Sequence, residues 1–418
     1  MMNKRASGTR RAARTLVDAV ENAMVQAENA GLVLHKAQGQ AYTGETLELT
    51  TGSMKNLGSC SYMGLELRPE LKQGTIDATE RYGTQFSYSR AFVSSPLYEE
   101  LEELLGQMTG GQVMVAPSTT LAHIGALPVL VEPGDAVIVD QFAHASLQTA
   151  VGLLKGIPVT GVVHSRMELL EQKLEELSVE HNRVWYVLDG LYSMLGDFFP
   201  AKELEQLLRQ YPKLHLYIDD AHSTSWTGTH GRGFALEHLA DRSRVIVALS
   251  LNKAFSAAGG ALVFPDATLR TRVRRCSGPM MFSGPVQPPM LGAAVASARL
   301  HLTPEFADLQ ERLLERIDLV LSLSQSLDVG LPTHDRTPVF FVRCGKEDVT
   351  YGIVQALWKR GFYVSPSAFP AVPLGRAGLR FTISMHNSFE DLRAFMAALS
   401  EELTRAGVAM LPRRAQAG

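Results

Sequence analysis

The chain has 418 residues, with 40 Lys plus Arg against 43 Asp plus Glu, a net charge of -3 and 45% hydrophobic residues. That balance is ordinary for a globular protein and leaves no surplus of positive charge for a polyanion, so nucleic acid is not an expected partner. Three scattered cysteines, Cys60, Cys276 and Cys344, form no CxxC pair; they exclude a disulfide scaffold or a cysteine zinc site and point to a reducing, cytoplasmic compartment.

In chain order, a basic start (Lys4, Arg5, Arg10, Arg11, Arg14) leads into the amphipathic RTLVDAVENAMVQAENAGL, read as a surface helix because a signal peptide needs a continuous apolar segment. No later run reaches the roughly 20 apolar residues of a membrane span. Short β-branched runs then follow one another: QVMVA, AVIVD, VTGVV, RVWYVLD, LHLYID, RVIVALS and GGALVF. Amphipathic stretches such as MELLEQKLEELSVE and KELEQLLRQYP lie between several of them. This alternation predicts an α/β fold with a mostly parallel seven-stranded sheet covered by helices. After about residue 290 come two long helical patterns, then PVFFVRC, a helix, FYVSPS, LRFTIS and a last helix, the outline of a smaller α+β domain. The expected division is 1–65 as an N-terminal helix and segment, 66–295 as the large domain and 296–418 as the small one. The polar end, Arg413 to Gly418, reads as a tail.

In an open parallel sheet, ligands bind beyond the carboxyl ends of the strands. Those ends carry APSTT (116–120), DQFAHAS (140–146), DGLYSMLGD (189–197), DDAHSTS (219–225) and SLNKAFS (250–256). Asp219 follows the apolar LHLYI, and a buried carboxylate is costly without a cation. One partner that justifies it is a protonated pyridine nitrogen. Lys253 sits at a strand end, where a desolvated amine can form an imine with an aldehyde. Ser118, Thr119 and Thr120 open a helix whose N-terminus suits a phosphate, Ser250 offers another hydroxyl, and His144 can lie flat on an aromatic ring. Aldehyde, pyridinium and phosphate together describe pyridoxal 5'-phosphate (PLP). Each residue also has a plain structural reading: Lys253 as a surface lysine, Asp219 and Ser118 to Thr120 as helix caps, His222 as a turn histidine, Arg380 as a solvated strand charge, Gly259-Gly260 as a tight turn. His123, His230 and His386 have no partner legible in the sequence and read as structural or exposed.

The set DQFAHASL, LDGLYSMLGD, DDAHSTSWTGTHGRG and SLNKAFSAAGG, in that order between NLGSCSYMGL (56–65) and LRFTISMHNSFEDL (379–392), resembles the α-oxoamine synthase family of fold-type-I PLP enzymes. The resemblance implies Lys253 as the Schiff-base lysine, Asp219 as partner of the pyridine nitrogen, His222 on the ring's phenolic oxygen and His144 stacked on the ring. It implies Ser193 near the cofactor and the acyl carbonyl, Ser118, Thr119, Thr120 and Ser250 on the phosphate, and Arg380 on the amino-acid carboxylate. The implied reaction joins a small amino acid to an acyl thioester, carried on coenzyme A or on an acyl carrier protein, with loss of CO2; the implied assembly is a homodimer with shared active sites. An aminotransferase or a β-hydroxy amino acid aldolase is the alternative. Departures from the family pattern fall at Cys60, Gln85, Phe86, Tyr88, Tyr98, Gly284 and Asn387, on positions expected to face the substrates or the phosphate.

Overall fold

The computed structural model describes residues 2–39 and 41–408, and among them the side chains except those of residues 2–14 and 16. The tail Arg413 to Gly418 lies outside the described residues. Thirteen strands, among the described residues, are numbered in chain order: β1 (Thr46–Leu49), β2 (Gly52–Asn56), β3 (Gln112–Ala116), β4 (Ala136–Asp140), β5 (Val159–Val162), β6 (Val184–Asp189), β7 (Leu214–Asp219), β8 (Val245–Ser250), β9 (Gly260–Phe264), β10 (Val339–Gly345), β11 (Phe362–Tyr363), β12 (Ser365–Ser367) and β13 (Ala377–Thr382). They belong to two compact units, among the described residues one of 60–193 and 197–314, the other of 2–39, 41–59, 194–196 and 315–408.

The first unit holds a seven-stranded sheet in the order β3-β9-β8-β7-β6-β4-β5. β9 runs antiparallel to both its neighbours and the remaining pairs are parallel, so β3, β4, β5, β6, β7 and β8 all end on one edge. Strands β4, β6, β8 and β9 are buried along their whole length. Alternate residues serve two cores: Val115, Ile138, Leu188, Leu216 and Val247 pack on one face; Met114, Val137, Val187, Tyr217 and Ile246 pack on the other. Two buried faces explain why these strands read as unbroken apolar runs rather than as alternating ones.

Register places the ends of the strands side by side. Asp189 lies opposite Asp219, Ser250 opposite Gly260, and Gly260 opposite Ala116. The last row joins the consecutive strands β8 and β9 to β3, far from both in sequence, and leads directly into Ser118 and the helix Thr119–Leu130.

The second unit contains two three-stranded sheets, β10-β13-β12 and β1-β2-β11. The expected small-domain strands PVFFVRC, FYVSPS and LRFTIS are found here as β10, β11 with β12, and β13. Its N-terminal helix, Met2–Asn29, is exposed at most positions whose side chains are described, as the amphipathic pattern implies.

Candidate active site

Asp219 ends β7 and is buried. Its Oδ1 accepts from the Ala221 N–H at 3.1 Å, and its Oδ2 accepts from His123 Nε2 at 2.9 Å. His123 is itself fully buried within the helix Thr119–Leu130, and its Nδ1 meets the Tyr217 hydroxyl at 3.1 Å. Burial alone would drive the Asp219 carboxyl up, but the field and hydrogen bond of His123, then Lys253 and His144, hold it well below the usual carboxylate range. Asp189, its neighbour across the ladder, goes the other way: burial and then the charge on Asp219 push it well above that range. Asp219 is therefore a fixed negative charge at the sheet edge, and Asp189 beside it is shifted toward its protonated form. His123, which has no partner legible in the sequence, is thus buried, with Asp219 and Tyr217 as its partners.

Lys253 lies in the turn 250–260 that follows β8, half-buried. The turn is tied at several points: Asn252 N–H donates to Ser250 Oγ at 3.3 Å, Gly259 N–H to Asn252 Oδ1 at 2.6 Å, and Ser256 N–H to the Lys253 carbonyl at 2.9 Å. Ser118 caps the helix Thr119–Leu130, its Oγ accepting from Leu121 N–H at 3.1 Å, while Thr119 Oγ1 donates back to the Leu249 carbonyl at 3.1 Å. Thr120 is exposed and Ser250 buried. Gly260 is required where it stands, because a Cβ there would lie 2.5 Å from Thr119 N and 2.8 Å from its Cα. The glycine pair is therefore more than a tight turn: it lets the helix start lie directly against β9.

His222 follows β7 and its Nδ1 is hydrogen-bonded to the hydroxyl of Tyr62, fully buried, at 2.7 Å. That contact fixes the orientation of the ring. His144 precedes the short helix Ala145–Val151; its main-chain N–H donates to Asp189 Oδ1 at 2.9 Å and its Nδ1 accepts from Ser146 N–H at 3.3 Å. Partial burial lowers the His144 imidazole below its ordinary range, opposed by Asp219 and aided by Lys253 and His123, so the ring is neutral, on a residue that remains exposed. Ser193 sits half-buried in the loop 190–198, closed by a bridge between Leu191 and Phe198. Thus Asp219, His222, His144, Ser193, Lys253, Ser250 and the Ser118–Thr120 segment share one edge of one sheet. Arg380 belongs to the other unit, half-buried on β13 opposite Phe341 and Ser365.

Comparison with known proteins bears on this arrangement. Residues 53–399 match the model of the aminotransferase class I and II family. Over 343 residues the chain is 30% identical to the 8-amino-7-oxononanoate synthase of Alkaliphilus metalliredigens, covering 81% of this chain and 84% of that one. Over 350 residues it is 32% identical to the same enzyme of Geobacter sulfurreducens, covering 82% and 87%. The chain belongs to the α-oxoamine synthase family. As a member it is a PLP-dependent acyltransferase of the α-oxoamine synthase type. The family fold is seen directly in the serine palmitoyltransferase of S. paucimobilis with bound PLP-myriocin aldimine, which matches with a TM-score of 0.85 at 23% identity over 94% of this chain and 98% of that one. The 8-amino-7-oxononanoate synthase of Francisella tularensis matches with a TM-score of 0.71 at 18% identity, over 85% and 99%.

The residues present fit the cofactor of an α-oxoamine synthase. A carboxylate held charged at the sheet edge suits a pyridinium, an exposed neutral imidazole suits the ring face, and a capped helix start pressed against Gly260 offers main-chain N–H groups to a phosphate. Five of the seven departures from the family pattern have a definite setting. Tyr98 is a core residue, its hydroxyl accepting from Val286 N–H at 2.7 Å and its ring 3.6 Å beneath the Arg90 guanidinium. Asn387 is buried in the second unit, where it accepts from Ser384 N–H at 2.9 Å and donates to the Asn56 carbonyl at 3.0 Å. Phe86 and Tyr88 pack on each other with ring centres 5.1 Å apart, and Tyr88 is exposed. A Cβ at Gly284 would meet nothing within 4 Å.

Proposed function

We propose that the protein condenses a small amino acid (glycine, alanine or serine) with an acyl thioester. A bond forms between the amino acid's α-carbon and the acyl carbonyl carbon, the thiol leaves, and the carboxylate departs as CO2, giving an α-aminoketone. The observation that carries this reading is the anionic Asp219, set one strand from the turn that bears Lys253 and within reach of the lysine's field. When bound, PLP supplies an electron sink for charge left on the α-carbon.

The chain's residues have distinct tasks in this reading. Lys253, the residue to which the cofactor attaches, takes the α-proton as a free amine and returns a proton to the product. Asp219, kept charged by His123, favours the protonated pyridine nitrogen. His222, oriented by Tyr62, presents Nε2 to the phenolic oxygen, and the neutral His144 covers the ring. Ser193 donates to the acyl oxygen as negative charge develops there. Ser118, Thr120 and Ser250 contribute hydroxyls to the phosphate, while Thr119, whose hydroxyl is engaged with Leu249, contributes its main-chain N–H. Arg380 is the partner of the amino-acid carboxylate. A cytoplasmic homodimer is part of the same reading, supported by family resemblance; among the described residues no helix is long and apolar enough to cross a membrane.

The test is free-thiol release by purified yellow protein from short to long acyl-CoAs, each paired with glycine, alanine, serine or threonine. Release that depends on one amino acid supports the proposal and identifies both substrates. A keto acid without thiol release, or aldehyde release from a β-hydroxy amino acid, refutes it in favour of aminotransferase or aldolase chemistry.

A further inference from the structure

His164 follows β5 and takes no part in the cofactor or substrate roles above. Its Nδ1 lies 3.1 Å from Asp140 Oδ1 and its Nε2 lies 2.8 Å from Asp197 Oδ2. A carboxylate only accepts, so both ring nitrogens donate and the ring is an imidazolium held between two anions. The side chain is 11% exposed, so solvent cannot easily replace either contact. Asp140 ends β4 and accepts from the Phe142 N–H at 2.8 Å, which fixes the start of the segment leading to His144. It also accepts from the Tyr186 hydroxyl at 3.0 Å, a second anchor to the sheet. Asp197 closes the loop that contains Ser193: its carbonyl accepts from Tyr192 N–H at 2.9 Å. The His164 ring packs against both segments, 4.8 Å from the Phe142 ring and 4.2 Å, edge-on, from the Tyr192 ring.

We propose that His164 is a positioning residue for the condensation, a two-ended clamp that sets the segment carrying His144 and the loop carrying Ser193 at a fixed separation. The cofactor's own charge partners, Asp219 and His123, lie on other strands and helices and are not part of the clamp. Loosening it therefore costs the acyl-transfer step, which uses Ser193, more than cofactor binding, in which His144 is one contact among those of Asp219, Lys253 and the Ser118–Thr120 segment. This rests on the roles proposed for His144 and Ser193.

The test uses the holoenzyme and the variants His164→Gln, Asp197→Asn and the double variant. Glutamine has one amide head and cannot reach both carboxylates. Amide hydrogen exchange in 141–145 and 190–198 should rise together, about tenfold or more, in His164→Gln. The rate constant kcat for thiol release should fall about 10- to 100-fold, with cofactor Kd changed by less than about threefold. The double variant should be no slower than the slower single variant, because both substitutions break one unit. Exchange that rises in only one segment, an unchanged kcat, or losses that multiply in the double variant would each overturn the clamp. If wild-type protein releases no thiol from any substrate pair, with acyl-CoAs or with acyl carrier protein thioesters, the proposed function fails, while the paired rise in exchange still decides the clamp. Should His164→Gln not fold, Asp197→Asn keeps the shape of the site and carries the same exchange and kcat comparison.

Discussion

Replacing His123 with leucine removes the donor on Asp219 Oδ2 and leaves the buried carboxylate with the Ala221 N–H and the field of Lys253. Breaking a buried pair by deleting one partner costs about 3–5 kcal/mol. For a unit of this size, at about 2–4 °C per kcal/mol, that is a fall in Tm of about 6–20 °C. The sign of the pH dependence follows from the two environments. In the wild type Asp219 is held low and stays charged between pH 5 and 8, so it adds no slope there; its contribution is lost only in stronger acid. In the variant, burial is no longer opposed by His123 and lifts the carboxyl above its unfolded value. The folded state then retains a proton that the unfolded state releases, and stability declines as pH rises, by at most about 1.4 kcal/mol per pH unit. Thermal unfolding of cofactor-stripped protein, followed by circular dichroism at pH 5 and pH 8, should show a deficit at both and a larger one at pH 8. A deficit below about 2 °C, or one of equal size at the two pH values, would refute the reasoning.

Tyr62→Phe removes only the hydroxyl on His222 Nδ1; kcat should drop about tenfold, with Tm lowered by only a few degrees and the cofactor's visible band retained. His164 offers a stability slope of opposite cause. Burial lowers its pKa, but Asp140 and Asp197 more than offset this and lift it from 6.5 to about 9. Its contribution is therefore complete below about pH 6.5 and lost as pH rises to about 9. The wild-type Tm should fall across that window more steeply than that of His164→Gln. Arg380→Lys keeps the charge but loses the two-pronged donor, and should raise the amino-acid KM about tenfold while leaving the acyl-thioester KM nearly unchanged. Gly260→Ala places a methyl group against Thr119 N and should weaken cofactor binding, read by spectral titration, more than Gly284→Ala, whose added carbon meets nothing.

Much of the fold was legible because a sheet buried on both faces writes itself as unbroken apolar runs. GGALVF and RVIVALS fall on β9 and β8; the polar residues after RVIVALS lie on the edge that carries Asp219, whereas the antiparallel GGALVF starts at that edge and ends at the opposite one. Register was not legible. Gly260 reads as half of a turn until it is found opposite both Ser250 and Ala116, with Thr119 against it. Hydrogen bonds across long sequence separations were equally hidden: Tyr62 and His222 lie 160 residues apart. His123 carries a usable signal in the sequence. A lone histidine in the apolar LAHIGALPVL must be buried, and a buried polar ring needs a partner, which the carboxylates at the strand ends can supply. His164 carried no such signal, since VVHSRM is as compatible with an exposed turn as with a clamp between two carboxylates.

The most direct test of the central claim is where borohydride fixes the cofactor. Reduction of the yellow holoenzyme, followed by digestion and mass spectrometry, should place the pyridoxyl group on Lys253 alone, and Lys253→Ala should carry no covalent label even when it still binds the cofactor. A label on another lysine, or a labelled Lys253→Ala protein, would contradict the assignment on which the account of this site is built.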